Sequence, residues 1–255
     1  MKLTVLGSGT SVPDPVRGPA GLLLELDHRA WLVDGGSGTL QRCARAGVDP
    51  RRLTGGVYSH RHPDHTGDLV PLLFAMRVGP PPRQAPYPIA AGEGFEAFFE
   101  ALEATYGKWL RPPGGVQITE LSLQAEARLA LSESLDLVTR PANHSAGALH
   151  LRFESPTSSV VFSGDTGPSE ELVTLARGAS LLVCECAGSD AEPVPGHLTP
   201  SEVAHLVAEA RPEAVWLTHL YPHVDPEEAV RTVARTGVST RHASDGDTWL
   251  APPRR

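Results

Sequence analysis

Short runs of apolar residues at 2–6, 21–26 and 30–33, each cut off by Gly, Pro or Asp, predict that the chain opens with antiparallel strands. A helix is expected from about Thr39 to Ala46, stopped by Gly47. The run Gly55-Gly56-Val57-Tyr58-Ser59 then reads as a buried strand. The spacing of Leu69, Leu72, Leu73 and Met76 predicts a helix over 67–78, and that of Phe95, Phe98, Phe99 and Leu102 a second over 93–106. Between them the proline-rich stretch 79–86 is a stiff loop. More strands are expected near 116–121, 128–131, 135–140, 147–154, 158–163 and 180–184. Thr199-Pro200-Ser201-Glu202 has the form of a capping box that starts a helix. Strand runs in both halves, with helices able to cover the outer faces, predict an α/β protein: two packed sheets in a four-layer αββα sandwich, as one domain over 1–255.

Composition narrows this only a little. With 40% hydrophobic and 20% charged residues the chain is of ordinary globular make-up. No apolar run approaches the roughly 20 residues that span a bilayer, and no signal-like N-terminus is evident. Both point to a cytoplasmic protein. Three cysteines, Cys43, Cys184 and Cys186, are too few and too uneven for a disulfide framework and read as small core residues. A net charge of -8 speaks against a protein whose main task is to grip a long polyanion.

The chemistry is concentrated after strands. Ser59-His60-Arg61-His62-Pro63-Asp64-His65 packs three histidines and an aspartate into six positions directly behind a buried run. Neutral imidazoles and carboxylates are the ligands that suit zinc or manganese, and a tight loop can aim alternate side chains at two neighbouring ions. Asn143-His144-Ser145, Ser163-Gly164-Asp165-Thr166 and Leu217-Thr218-His219-Leu220 each place one further metal-capable side chain just past a strand. Alone, His144 or His219 reads as an ordinary hydrogen-bonded histidine and Asp165 as a turn residue; as a set of seven with the first cluster they read as ligands.

The HxHxDH motif, followed in order by a lone histidine, an SGDT aspartate and a late THL histidine, resembles the metallo-β-lactamase superfamily. Leu6-Gly7-Ser8-Gly9-Thr10, the SGDT form and Gly196-His197-Leu198-Thr199 are similar to its ribonuclease Z branch of phosphodiesterases. The resemblance implies two divalent metal ions, zinc or else manganese, with His60, His62 and His144 on the first, Asp64, His65 and His219 on the second, and Asp165 bridging. Two such ions about 3.5 to 4 Å apart can share a hydroxide nucleophile in phosphoryl transfer, which Asp64 is also placed to orient. The family pattern makes His197 the general acid and Glu185 the carboxylate that orients it; a helix-entry histidine and a strand-end glutamate are the plainer readings. The remaining histidines, His28, His150, His205, His223 and His242, read as structural or surface residues.

Ribonuclease Z proteins that trim transfer RNA carry a long arm between the third histidine ligand and the bridging aspartate. Here His144 and Asp165 are separated by only 20 residues, enough for two strands and a turn. The reading is therefore a hydrolase of small phosphodiesters, such as a cyclic nucleotide or short oligonucleotide. Transfer-RNA 3′ processing and the hydrolysis of a carboxylic ester, thioester or lactone are the alternatives. RNA is the less favoured substrate; were it bound, the loop from Gly79 to Pro88 with Arg83 would be the substitute clamp. The resemblance also implies a homodimer.

Overall fold

The computed structural model describes residues 1–252, so the last three residues of the expected domain lie outside it. Fourteen strands form two sheets of seven among the described residues. The first contains β1 (Lys2–Gly7), β2 (Gly21–Leu26), β3 (Arg29–Val33), β4 (Gly55–Tyr58), β5 (Tyr87–Gly92), β6 (Val116–Leu121) and β14 (Thr248–Leu250), in the order β14-β1-β2-β3-β4-β5-β6. The second contains β7 (Ala127–Ser132), β8 (Leu135–Pro141), β9 (Leu149–Glu154), β10 (Ser159–Phe162), β11 (Leu181–Glu185), β12 (Ala214–Thr218) and β13 (Ser239–His242), in the order β13-β12-β11-β10-β9-β8-β7. Helices α1 (Thr39–Arg45), α2 (Pro63–Thr66), α3 (Leu69–Val78) and α4 (Phe95–Tyr106) follow strands of the first sheet. Helices α5 (Glu170–Ala176), α6 (Pro200–Ala210) and α7 (Pro226–Ala234) follow strands of the second.

Side-chain alternation along single strands builds the layers. On β2, Leu22 and Leu24 enter the core between the sheets while Leu23 packs with the helices on the outer face. On β11, Leu181 and Val183 face the other sheet, whereas Leu182 and Cys184 join Val203, Leu206 and Val207 of α6. Leu72, Leu73 and Met76 of α3 and Phe95 and Phe99 of α4 fill the outer core of the first sheet. Three apolar interfaces thus separate four layers, and the fold is the expected αββα sandwich. Cys184 and Cys186 are both buried in the outer core, as small core residues. The capping box at Thr199 and Glu202 is formed in full.

Two expectations are corrected. The helix expected over 67–78 is preceded by a separate turn, α2, and begins at Leu69. The loop from Gly79 to Pro88 ends inside β5, a strand that the sequence pattern concealed. Its Tyr87 is fully buried, and β5 pairs in parallel with both β4 and β6.

Topology collects the strand ends. β10, β11 and β12 are mutually parallel. β8 is antiparallel to β9, which is antiparallel to β10, so β8 ends at the same edge as they do. The amide of Leu149, at the start of β9, donates to the carbonyl of Ser59, which follows β4 in the other sheet (2.9 Å). The C-terminal ends of β4, β8, β10, β11 and β12 therefore meet at one edge of the sandwich.

Candidate metal centre

Each expected ligand lies one to three residues beyond one of these strand ends, or in the turn that follows. His60 comes after β4, His62, Asp64 and His65 run through the start of α2, His144 comes after β8, Asp165 after β10 and His219 after β12. The structure brings all seven together in two groups, within each of which the potential ligand atoms lie within 4.8 Å of one another: His60, His62, His144 and Asp165, and Asp64, His65, Asp165 and His219. Asp165 belongs to both. Its Oδ2 faces the first group, 3.6 Å from His60 Nε2 and 3.9 Å from His144 Nε2. Its Oδ1 faces the second, 3.3 Å from His65 Nε2 and 3.6 Å from His219 Nε2.

The donor set fits metal ions. His60 Nε2 and His65 Nε2 are buried without a hydrogen-bond partner among the described residues. Leaving such a group unsatisfied costs about 1–3 kcal/mol, and both atoms point at Asp165. Burial, reinforced by the neighbouring His65, pushes the His60 imidazole far down, so it is held neutral, the form that ligates. Burial would raise the Asp165 carboxyl, but His219, His65 and His60 outweigh it and hold the group well below the usual carboxylate range. Burial works to lower His65 as well, yet Asp165 and Asp34 raise it: the same negative surroundings that retain a proton there would retain a cation.

A residue that the sequence reading did not single out holds this arrangement. Asp34, fully buried behind β3, accepts from the Ser59 amide (2.7 Å) and hydroxyl (2.6 Å) and from His65 Nδ1 (2.7 Å). The bond to Nδ1 turns His65 Nε2 toward Asp165 and fixes the tautomer. Next to it, a Cβ on Gly36 would lie 2.2 Å from the Asp64 carbonyl oxygen, so only glycine lets the histidine loop pack this closely. The signal was a lone Asp followed by Gly35-Gly36 at a strand end, which by itself reads as a turn.

At the far end of the chain, His219 takes up a left-handed backbone (φ 56°), and its amide donates to the Ser8 carbonyl at 2.9 Å. Ser8 in turn donates its amide and hydroxyl to Asp245 Oδ1, both at 2.8 Å, and the Gly18 amide donates to Asp245 Oδ2 at 2.9 Å.

His197 and Glu185 also meet. Glu185 Oε1 accepts from His197 Nδ1 (2.9 Å) and the Thr166 amide (2.8 Å), while Oε2 accepts from the amides of Ala187 (3.0 Å) and Leu198 (3.3 Å). Burial raises the Glu185 carboxyl and lowers His197, but the bond to Glu185 brings His197 to a net upward shift. Three backbone N–H groups aimed at Glu185 favour its ionised form, which leaves the shared proton on His197. Glu185, His197 and His219 are close enough to form a third potential ligand group. With both Glu185 oxygens already accepting, the pair reads instead as a held imidazole. His197 stacks on His219 with ring centroids 5.7 Å apart and lies 5.1 Å from His144. The Gly196 carbonyl beside it accepts from His144 Nδ1 at 3.0 Å.

The other histidines lie elsewhere. His28, His205 and His223 are exposed and His242 is half-buried, whereas His150 is wholly buried, bonded to the Ser163 carbonyl (2.6 Å) and the Ser169 hydroxyl (2.9 Å). Arg83 is not a free phosphate contact. Its guanidinium donates to the carbonyls of Leu53 (2.8 Å), Ala85 (3.1 Å), Pro86 (3.2 Å) and Arg51 (3.4 Å), bracing the loop onto the protein's own backbone.

Two sheets between helix layers, with a histidine and aspartate cluster at the strand ends, define the class of metal-dependent hydrolases built on the metallo-β-lactamase fold. The model of the beta-lactamase superfamily domain matches residues 29–220, and the chain belongs to that superfamily. It is 29% identical to a protein named Ribonuclease Z of Mycobacterium bovis over 267 residues, covering 94% of each chain. Among solved structures it is similar to the metallo-β-lactamase fold protein YhfI of Bacillus subtilis (22% identity, 98% and 99% of the two chains, TM-score 0.84). It is also similar to the short form of human tRNase Z (21% identity, 99% and 100%, TM-score 0.78). No helix among the described residues is long and apolar enough to cross a membrane.

Proposed function

We propose that the protein is a phosphodiesterase that cleaves small phosphodiesters, such as cyclic nucleotides or short oligonucleotides, with two divalent ions held by His60, His62, His144, Asp64, His65, His219 and the bridging Asp165. Histidine nitrogens with few carboxylates suit zinc best and manganese next. Bound there, the ions would lower the pKa of water and offset the charge that builds on phosphoryl oxygens. The chain's own groups do the rest. Asp64, beside His219 (Oδ2 to Nε2, 3.3 Å), orients the attacking water. As that oxygen gives up one proton to bulk solvent and bonds to phosphorus, and the phosphorus–oxygen bond to the leaving group breaks, His197 passes its Nε2 proton to the departing oxygen, and Glu185 stabilises the pair through Nδ1.

The observation that carries the reading is the His197–Glu185 pair beside the shared carboxylate, because an alkoxide leaving group needs a positioned acid. The match of this pair to the ribonuclease Z pattern is also what places an ester or lactone second. Size preference rests on the short link from His144 to Asp165, which is filled by β9, β10 and the turn between them. The second reading, transfer-RNA 3′ processing, is favoured by the end-to-end similarity to the protein named Ribonuclease Z.

The test is kcat/KM of the zinc-loaded protein, at one salt concentration, on bis(4-nitrophenyl) phosphate, cyclic nucleotides, dinucleotides, a lactone and precursor transfer RNA. Small diesters should be cleaved well and the lactone poorly. Accurate 3′ cleavage of the transfer RNA, orders of magnitude faster than any small diester, would replace the first reading with the second.

A further inference from the structure

Tyr221 lies two residues past His219, and neither the proposed ligands nor the proposed acid accounts for it. Its ring centroid is 6.2 Å from that of His197 and 6.3 Å from that of His219, and its plane is nearly perpendicular to both (81° and 87°). Those two imidazoles are close to parallel, 17° apart. Tyr221 is thus the third corner of a near-equilateral triangle and walls one side of the place where the acid and the metal centre face each other. Its backbone is pinned: the amide donates to the Ala187 carbonyl (3.3 Å), and the carbonyl accepts from Val224 (3.0 Å). One part of the side chain packs against the outer core of the second sheet, leaving the rest half-exposed. Beyond it the exposed His223 ring lies 6.1 Å away, tilted by only 32°, so the aromatic surface continues outward into solvent.

A flat, rigid surface next to the proton donor is suited to what the departing oxygen carries. Every nucleobase presents a π-face, and stacking on an aromatic side chain costs little side-chain entropy when that side chain is already fixed. We propose that Tyr221, extended by His223, is a stacking subsite for a planar base on the leaving side of the diester, which makes nucleotide diesters the preferred substrates. This rests on the phosphodiesterase reading above.

The experiment compares Y221L, Y221F and wild type, all zinc-loaded, on the dinucleotide ApA and on its analogue with an abasic ribose at the leaving side. Removing one base–aromatic stack costs roughly 5- to 100-fold. Y221L should therefore lower kcat/KM on ApA by that factor, mainly through KM, and the ratio of ApA to abasic activity should fall with it. Y221F, which keeps the ring, should restore the ratio, and H223A should lower it by less. A parallel titration with AMP and ribose 5-phosphate reads binding without turnover. Wild type should prefer AMP by about fivefold or more and Y221L should not. An unchanged ratio and an unchanged preference in Y221L would overturn the subsite, as would equal losses on both substrates. If wild type cleaves neither diester yet binds AMP in a Tyr221-dependent way, the subsite stands and the phosphodiesterase reading falls.

Discussion

The histidine loop after β4 and the loop from Ala187 to His197 after β11 reach the same cluster of side chains but are held in different ways. The first is locked from below: Asp34 accepts three hydrogen bonds from Ser59 and His65, and Gly36 admits the Asp64 backbone. The second carries Gly188, Pro193, Pro195 and Gly196, is largely exposed, and reaches the site through His197 on Glu185 and Gly196 on His144. On the proposed roles, metal holding is built into the sandwich, whereas proton delivery is hung on its rim. The two functions should be separable by mutation.

The largest effect is expected where the two groups of ligands share an atom set. Asp165→Ala removes a carboxylate from both, so elemental analysis should show well under two ions per chain. Losing several kcal/mol of charge stabilisation corresponds to roughly a 10³-fold or greater fall in turnover. A variant that still binds two ions with normal affinity would break the assignment of the bridge. His197→Ala should cost roughly 10²- to 10⁴-fold in turnover with metal content unchanged. That loss should shrink for nitrophenolate leaving groups, which need little protonation. Equal losses on good and poor leaving groups, or a lost ion, would collapse the distinction between the two loops.

The smallest effect concerns the scaffold alone. His150 ties β9 to the residues on either side of Asp165, and burial pushes it down to about 4 from an ordinary 6.5. Its folded pKa lies below the unfolded one, so the unfolded chain binds the extra proton. The contribution is complete above pH 6.5 and is lost as pH falls toward 4. Between pH 7 and pH 5 wild type should lose about 2 kcal/mol relative to His150→Gln. Urea unfolding at both values, with the same metal loading, reads the difference, and parallel curves for the two proteins would refute it.

The HxHxDH cluster was legible because six adjacent positions leave little room for a bland explanation. His144, Asp165 and His219 were legible only through their shared place past an apolar run, since nothing local distinguishes them. Asp34 was not, because its partners are 25 and 31 residues away and its own neighbourhood is that of a turn. The strand β5 was hidden by Pro88, which offers no N–H to a ladder. It is accommodated opposite Gly55, where a side chain would meet the Pro88 carbonyl at 2.8 Å. Arg83 misled in the opposite sense: a cation in a proline-rich loop looks available, and its four backbone acceptors become apparent only once the loop is folded.

The seam of Ser8, His219 and Asp245 also has a bearing on how the protein is made. On the ribosome, His60, His62 and His65 emerge long before His219, and the anchor at Asp245 comes later still. Until that last segment is released, the first proposed group, His60, His62, His144 and Asp165, can assemble, while the second still lacks a held His219. If the seven residues hold two ions as proposed, a chain halted before Asp245 would have every ligand but would lack the anchor that steadies Ser8 and, through it, His219. On that proposal, the two-ion centre is completed only as the C-terminal segment leaves the ribosome.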